Sequence, residues 1–234
     1  MHSRITSLTN AKSSGRFLWD EESPALPLTF AYLVILCLSS LFKASTSDPG
    51  ILPRNIHILT SEPTERWHLL PAPRDVPVIS THAQQKSRLP AYVPTKYCTT
   101  CRLWRPPRSS HCRICDSCIE YCDHHCIWLN NCVGRRNYRY FFTFILTACL
   151  VGWYLTGQCI WYIVLVVRRE RVSLSDALSG VGPGVSLALA CYGILGALYP
   201  FALVSYHFYL IFTGQNTHEY VTTLTSQRLI EVTK

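Results

Sequence analysis

Between Cys98 and Cys132 the chain concentrates eight cysteines and three histidines. They run Cys98-x2-Cys101, then His111-Cys112-x2-Cys115-x2-Cys118, then Cys122, Asp123-His124-His125-Cys126 and Cys132. A segment this rich in soft ligands and poor in long apolar runs folds around metal. Two closed tetrahedral zinc sites take eight ligands. Eleven candidates leave three over, and a spare thiol beside a spare imidazole and a carboxylate is how a nucleophile is built.

Twelve cysteines in a small secreted protein would mean disulfides. Here the spacing is that of metal ligands and the chain is membrane-bound, and thiols facing the cytosol stay reduced. Cys98 and Cys101 share one metal, because a C-x2-C loop chelates a single ion. Cys112, Cys115 and Cys118 form an overlapping series in which either of two pairs closes a site. Burial as a small apolar residue is the plainer reading for any cysteine. It fails at this density but suits Cys37, Cys149, Cys159 and Cys191, which lie in apolar segments.

The chain has 234 residues, of which 15% are charged, and a mean hydropathy of +0.13. Soluble domains carry about a quarter charged residues. The deficit comes from three apolar segments, 26–43, 141–167 and 184–212, each long enough to span a bilayer. The sequence predicts an α-helical multi-pass membrane protein: three transmembrane helices with a cytosolic two-zinc cysteine-rich module over 96–140. Residues 1–25 are polar and are expected to have no fixed structure. The 44–95 connector is too proline-rich for a long helix. A lumenal loop covers 168–183 and a cytosolic tail 213–234, where Val221, Leu224, Leu229 and Ile230 suggest either an interfacial or an ordinary terminal helix. Tyr199-Pro200 predicts a kink in the third span. No internal repeat is evident.

The net charge is +8, with most basic residues between the first and second spans. That places the cysteine module and the tail on the cytosolic side. The acidic Asp20-Glu21-Glu22 before the first span agrees with this, and opposes a signal peptide. Arg168, Arg169 and Arg171 run against the rule but are outweighed. Arg135, Arg136 and Arg139 are candidates for meeting an anionic donor, or simply anchor the membrane face. A nucleic-acid partner is not expected: a hydrophobic span, not a recognition helix, follows the ligands.

Asp123, His124 and Cys126 fall within four consecutive residues. An imidazole beside a thiol favours the reactive thiolate, and a carboxylate on that imidazole fixes its tautomer. In an extended segment His125 points opposite to His124, so one histidine is free for metal while its neighbour serves the thiol. Zinc sites on either side supply the rigidity such a site requires.

Residues 98–132 resemble the DHHC protein S-acyltransferases, the palmitoyltransferases, whose signature stands here as Asp123-His124-His125-Cys126. The likeness extends through Trp128, Asn130-Asn131-Cys132-Val133-Gly134 and Asn137-Tyr138, and to Asp48-Pro49-Gly50. Lys96-Tyr97-Cys98, Arg105-Pro106-Pro107-Arg108-Ser109-Ser110-His111-Cys112 and Gly134-Arg135-Arg136-Asn137-Tyr138-Arg139 look most like the fungal Ras palmitoyltransferase branch. The resemblance implies one zinc on Cys98, Cys101, His111 and Cys118 and a second on Cys112, Cys115, His125 and Cys132. It implies Cys126 as nucleophile, His124 as base and Asp123 as its orienter, and gives Cys122 no role, leaving it as a packing residue or a secondary acylation site. It further implies palmitoyl-CoA as acyl donor, Ras-type GTPases or other membrane-associated proteins as acceptors, an accessory subunit, and an endoplasmic reticulum or Golgi membrane.

Three departures stand out. Ile127 replaces the proline common after the nucleophile. Asn216-Thr217-His218-Glu219 stands for the family's Thr-Thr-x-Glu motif. The family's usual first span is missing from the sequence. A shortened, catalytically impaired zinc-module membrane scaffold is therefore the alternative to an active enzyme. A zinc hydrolase is excluded, because both zincs would be closed by four protein ligands.

Overall fold

The computed structural model describes residues 14–56 and 96–232. Most of the connector's prolines, from Pro63 to Pro94, lie outside the described residues. The chain divides into two units, one of Met1–Phe42 with Phe142–Tyr209, the other of Lys43–Phe141 with Leu210–Lys234.

The first unit is helical. It contains α1 (Ser14–Phe17), a π-helical segment over Leu18–Glu22, most of α2 (Ala25–Thr46) and of α3 (Tyr138–Glu170), the short α4 (Leu174–Leu178) and most of α5 (Val181–Thr213). α2, α3 and α5 are each long and apolar enough to cross a membrane. Large apolar side chains such as Tyr32, Ile35, Leu195 and Phe212 stay exposed on them, as lipid-facing residues do. α3 and α5 approach closely through small residues. A Cβ added at Gly152 would lie 2.8 Å from the Ala197 side chain, and one at Gly193 would lie 2.6 Å from Thr156 Oγ1. Close backbone approach is the usual device for packing helices in lipid. Here it lets Thr156 Oγ1 donate across to the Ala190 carbonyl at 3.3 Å.

The expectation that residues 1–25 lack structure is corrected for 14–22, which are helical. Leu18 is buried, and the Phe17 ring sits edge-on to Tyr162 at 5.2 Å. Arg169 pairs with Glu22 at 2.5 Å and lies over the Phe17 ring. The polar average of this stretch concealed that apolar pair. The 168–183 segment also holds more structure than a loop. α4 is capped by Ser173, whose hydroxyl accepts from Asp176 N.

Among its described residues the second unit contains three antiparallel hairpins and the helix α6 (Thr217–Val232). The hairpins pair β1 (Tyr97–Cys98) with β2 (Leu103–Trp104), β3 (Ser110–Cys112) with β4 (Ser117–Ile119), and β5 (His124–Cys126) with β6 (Asn131–Val133). Their registers repeat at a step of 14 residues. Cys98↔Leu103, Cys112↔Ser117 and Cys126↔Asn131 are equivalent pairs, as are Tyr97↔Trp104, His111↔Cys118 and His125↔Cys132. The tight turns also match: Arg102, Asp116 and Asn130 each take a left-handed φ of 51°, 47° and 48°. This corrects the view that the chain holds no internal repeat. Cys98-x2-Cys101-x9-His111-x6-Cys118 recurs 14 positions on as Cys112-x2-Cys115-x9-His125-x6-Cys132.

Asp48-Pro49-Gly50 pins the connector to this repeat. Asp48 Oδ1 accepts from the Gly50 and Ile51 amides at 2.9 Å, with Gly50 at φ 107°. The following residues run along β4: Leu52 N donates to Cys118 O, and Glu120 N to Gly50 O. Gly134 is required by the same close approach, since a Cβ there would stand 2.5 Å from Pro49 O. The side-chain amides of Asn131 and Asn137 donate to carbonyls at the end of α2, Ala44, Ser45 and Ser47. Unpaired carbonyls at a helix C-terminus need such donors.

Candidate functional site

Two tetrads converge in the hairpin unit, Cys98, Cys101, His111 and Cys118, and Cys112, Cys115, His125 and Cys132. In each, the ligand atoms lie within 4.8 Å of one another. His111 Nδ1 stands 3.6, 3.4 and 3.8 Å from the sulfurs of Cys98, Cys101 and Cys118. His125 Nδ1 stands 3.7, 3.4 and 3.7 Å from those of Cys112, Cys115 and Cys132. A tetrahedron with usual Zn–S and Zn–N bonds has S···N and S···S edges of about 3.5–3.8 Å. The donor sets therefore fit two zinc ions.

The ambiguity over Cys112, Cys115 and Cys118 resolves by interleaving. Each C-x2-C turn takes its histidine and fourth cysteine from the next hairpin, so Cys118 closes the first site while Cys112 and Cys115 open the second. Burial and the neighbouring Cys132 push the Cys115 thiol up to about 12. Burial likewise raises Cys118, with Cys98 beside it. Thiols crowded in this way ionise when a divalent cation takes their charge. Outside the tetrads, Asp116 approaches His111 Nε2 at 3.7 Å and is itself paired to Arg54 at 2.8 Å. Cys122 is in neither tetrad; it is buried against Ile119 and Cys132.

Cys126 also lies outside both tetrads and is buried at the end of β5. The β5 alternation separates the two histidines: His125 enters the second tetrad, while His124 bonds to Asp123 Oδ2 through Nδ1 at 2.7 Å. The His124 imidazole also lies near enough to the Cys126 thiol for each to shift the other's pKa. Burial pulls the His124 pKa down, but the bond to Asp123 and the neighbouring Cys126 thiol outweigh it and lift it to about 9. Burial raises the Cys126 thiol, yet the imidazole and the amides of Leu129 and Trp128 bring it below its ordinary value. The two shifts favour a thiolate–imidazolium pair, the reactive state of a cysteine nucleophile. Phe141 lies edge-on to His124 at 5.3 Å.

Asp123 is nearly fully buried. Burial alone would raise its carboxyl; the His124 bond and the Thr217 amide more than offset that and hold it below the usual range. The Thr217 N–H reaches Asp123 Oδ1 at 2.9 Å. That amide is free to do so because Thr217 is the first residue of α6. Asn216 caps the helix reciprocally: Glu219 N donates to Asn216 Oδ1 at 2.8 Å and Asn216 N to Glu219 Oε2 at 3.0 Å. Glu219 is held in turn by both guanidinium arms of Arg108, at 2.7 and 2.8 Å. The sequence flagged Asn216–Glu219 as a motif but not its contact with Asp123, 94 residues away.

Of the three basic candidates, Arg135 pairs with Glu120, Arg136 pairs with Asp48 at 2.5 Å, and Arg139 donates to Tyr140 Oη. A different groove, of ≈ 460 Å³, is lined by Lys96, Arg105, the Arg108–Glu219 pair, Ser110 and His218. The Arg105 Nε there is buried and makes no hydrogen bond among the described residues.

A family model described as DHHC palmitoyltransferase matches residues 91–223. Palmitoyltransferase erf2 of Schizosaccharomyces pombe is 50% identical over 210 residues, 89% of this chain and 58% of that protein. Palmitoyltransferase erf2 of Emericella nidulans is 44% identical over 220 residues, 89% of this chain and 34% of its own length. Palmitoyltransferase ZDHHC9 of Pongo abelii is 35% identical over 208 residues, 87% of this chain and 55% of that one. The chain thus spans between about a third and three fifths of the length of these curated relatives.

Proposed function

Because the chain belongs to the DHHC palmitoyltransferase family, we propose that it is a protein S-acyltransferase with Cys126 as its nucleophile. The observation that carries this reading is the Asp123–His124 hydrogen bond beside the buried Cys126 thiol, all three residues standing outside both metal tetrads. The Cys126 thiolate attacks the carbonyl carbon of a long-chain acyl-CoA. The C–S bond to CoA breaks, and the His124 imidazolium protonates the departing thiolate. A cysteine thiol of the acceptor protein then gives its proton to His124 and attacks the new thioester, which returns Cys126 as leaving group. Asp123 holds His124 in the tautomer that serves both steps.

Zinc at the two tetrads supplies rigidity only, since four protein ligands leave no open position. In the ≈ 460 Å³ groove, Lys96 and Arg105 suit a phosphate of the donor, with Arg105 Nε available to it, while Arg108 is held by Glu219. By resemblance, the donor is palmitoyl-CoA, the acceptors are Ras-type GTPases or other membrane-associated proteins, and an accessory subunit assists. The same resemblance points to an endoplasmic reticulum or Golgi membrane with the zinc module on the cytosolic side. The test is transfer: purified chain in detergent, given an alkyne-tagged acyl-CoA and a cysteine-bearing acceptor, should pass a hydroxylamine-labile tag to the acceptor. Label that stays in the donor would favour the scaffold alternative.

Thr217→Pro isolates the Asp123 contact. Proline is well tolerated at the first position of a helix, so α6 should persist while one N–H is removed. A hydrogen bond to a charged group is worth about 1.5–3 kcal/mol, so acyl-enzyme formation should slow about tenfold or more with zinc content unchanged. Unchanged kinetics would show that Asp123 does not need the amide.

A further inference from the structure

We propose that Leu129 keeps Cys126 reactive by withholding the second thiol of a third metal-binding turn. The inference rests on the function proposed above and gives it a structural origin. The 14-residue repeat makes Cys126 the counterpart of Cys98 and Cys112, the first ligand of each tetrad. Leu129 is the counterpart of Cys101 and Cys115, the second ligand.

The turn itself is intact. Asn130 keeps the left-handed conformation of Arg102 and Asp116. In the first two turns the amide of the second cysteine points at the sulfur of the first, Cys101 N at 3.5 Å from Cys98 Sγ and Cys115 N at 3.4 Å from Cys112 Sγ. In the third, the Leu129 amide donates to the Cys126 carbonyl at 3.2 Å, closing the turn beside the thiol. The third turn therefore keeps the register and the left-handed residue of the two metal-binding turns, yet supplies one thiol where they supply two.

The remaining donors are close to sufficient. His124 already bonds Asp123 through Nδ1, the arrangement in which a carboxylate orients a metal-binding histidine. A thiol at 129 would complete a Cys2His set like that of zinc sites with one open position. Zinc would then hold Cys126 as a ligand, and a ligated thiolate is a poor nucleophile towards a thioester. The buried Leu129 side chain, 3% exposed, fills that place with hydrocarbon.

The test compares Leu129→Cys with Leu129→Ser, both as full chains purified in reductant with zinc available. Leu129→Cys should rise from about two to about three zinc ions per chain. It should form acyl-enzyme at least about tenfold more slowly than Leu129→Ser. Leu129→Ser should keep about two zinc ions. A Leu129→Cys chain that stays at two zincs overturns the proposal, as does one that gains a third and acylates as fast as the serine variant. Equal loss of acylation in both variants also overturns it, because Leu129 would then act through packing. If the unsubstituted chain forms no acyl-enzyme, the proposed function fails, while the zinc count still decides whether the third turn is a metal site short of one thiol.

Discussion

Cys126→Ser is expected to abolish acyl-enzyme formation and leave about two zinc ions bound. The two halves have separate causes. The sulfur is the atom that takes up the acyl group in the proposed transfer, and a serine hydroxyl beside His124 lacks the low pKa that makes the thiolate available. Both tetrads are complete without Cys126, so removing it costs no ligand. Serine also preserves the size of a side chain that is 7% exposed, which limits any packing loss. Zinc and acyl content measured on one preparation check both halves. A variant that lost a full equivalent of zinc would make Cys126 a ligand and end the nucleophile assignment.

The adjacent histidines should fail in opposite ways. His124→Ala removes the imidazole between Asp123 and Cys126 but touches no tetrad. Acylation should slow by about 10²–10⁴-fold, the usual worth of general acid–base help, at unchanged zinc content. His125→Ala removes one of four ligands from the second tetrad. Zinc should fall from about two towards about one, and the β5–β6 hairpin should loosen, because metal binding in such modules is folding free energy. Activity then falls as a consequence of lost structure. Zinc content, thermal unfolding and acyl-enzyme rate on both variants decide the matter. Interchanged behaviour would refute the assignment of the two rings.

Much of this site was legible in the sequence because its chemistry is local. Asp123, His124, His125 and Cys126 are neighbours, and strand alternation alone separates the two imidazoles. The helices were legible from the apolar runs. The ligand pairing was harder. Reading outward from each C-x2-C looks for nearest partners, whereas here each turn borrows a histidine and a cysteine from the next hairpin. The signal was present as the 14-residue step, which shows only when the segment is laid against itself. What stayed illegible was long-range: the Thr217 amide on Asp123, the Arg108 fork on Glu219, and the Phe17 ring on Tyr162. Each joins residues about 94, 111 and 145 positions apart through a single backbone group or one side-chain pair, and no local pattern announces such a contact.

The central claim is that one thiol outside two closed zinc sites carries the acyl group. Native mass spectrometry of the full chain after brief exposure to palmitoyl-CoA, followed by peptide mapping, measures this directly. The account predicts a chain with two zinc ions and one palmitoyl thioester, mapped to Cys126. A palmitoyl group mapped to Cys122 or another thiol, or one that appears only as zinc is lost, would contradict it.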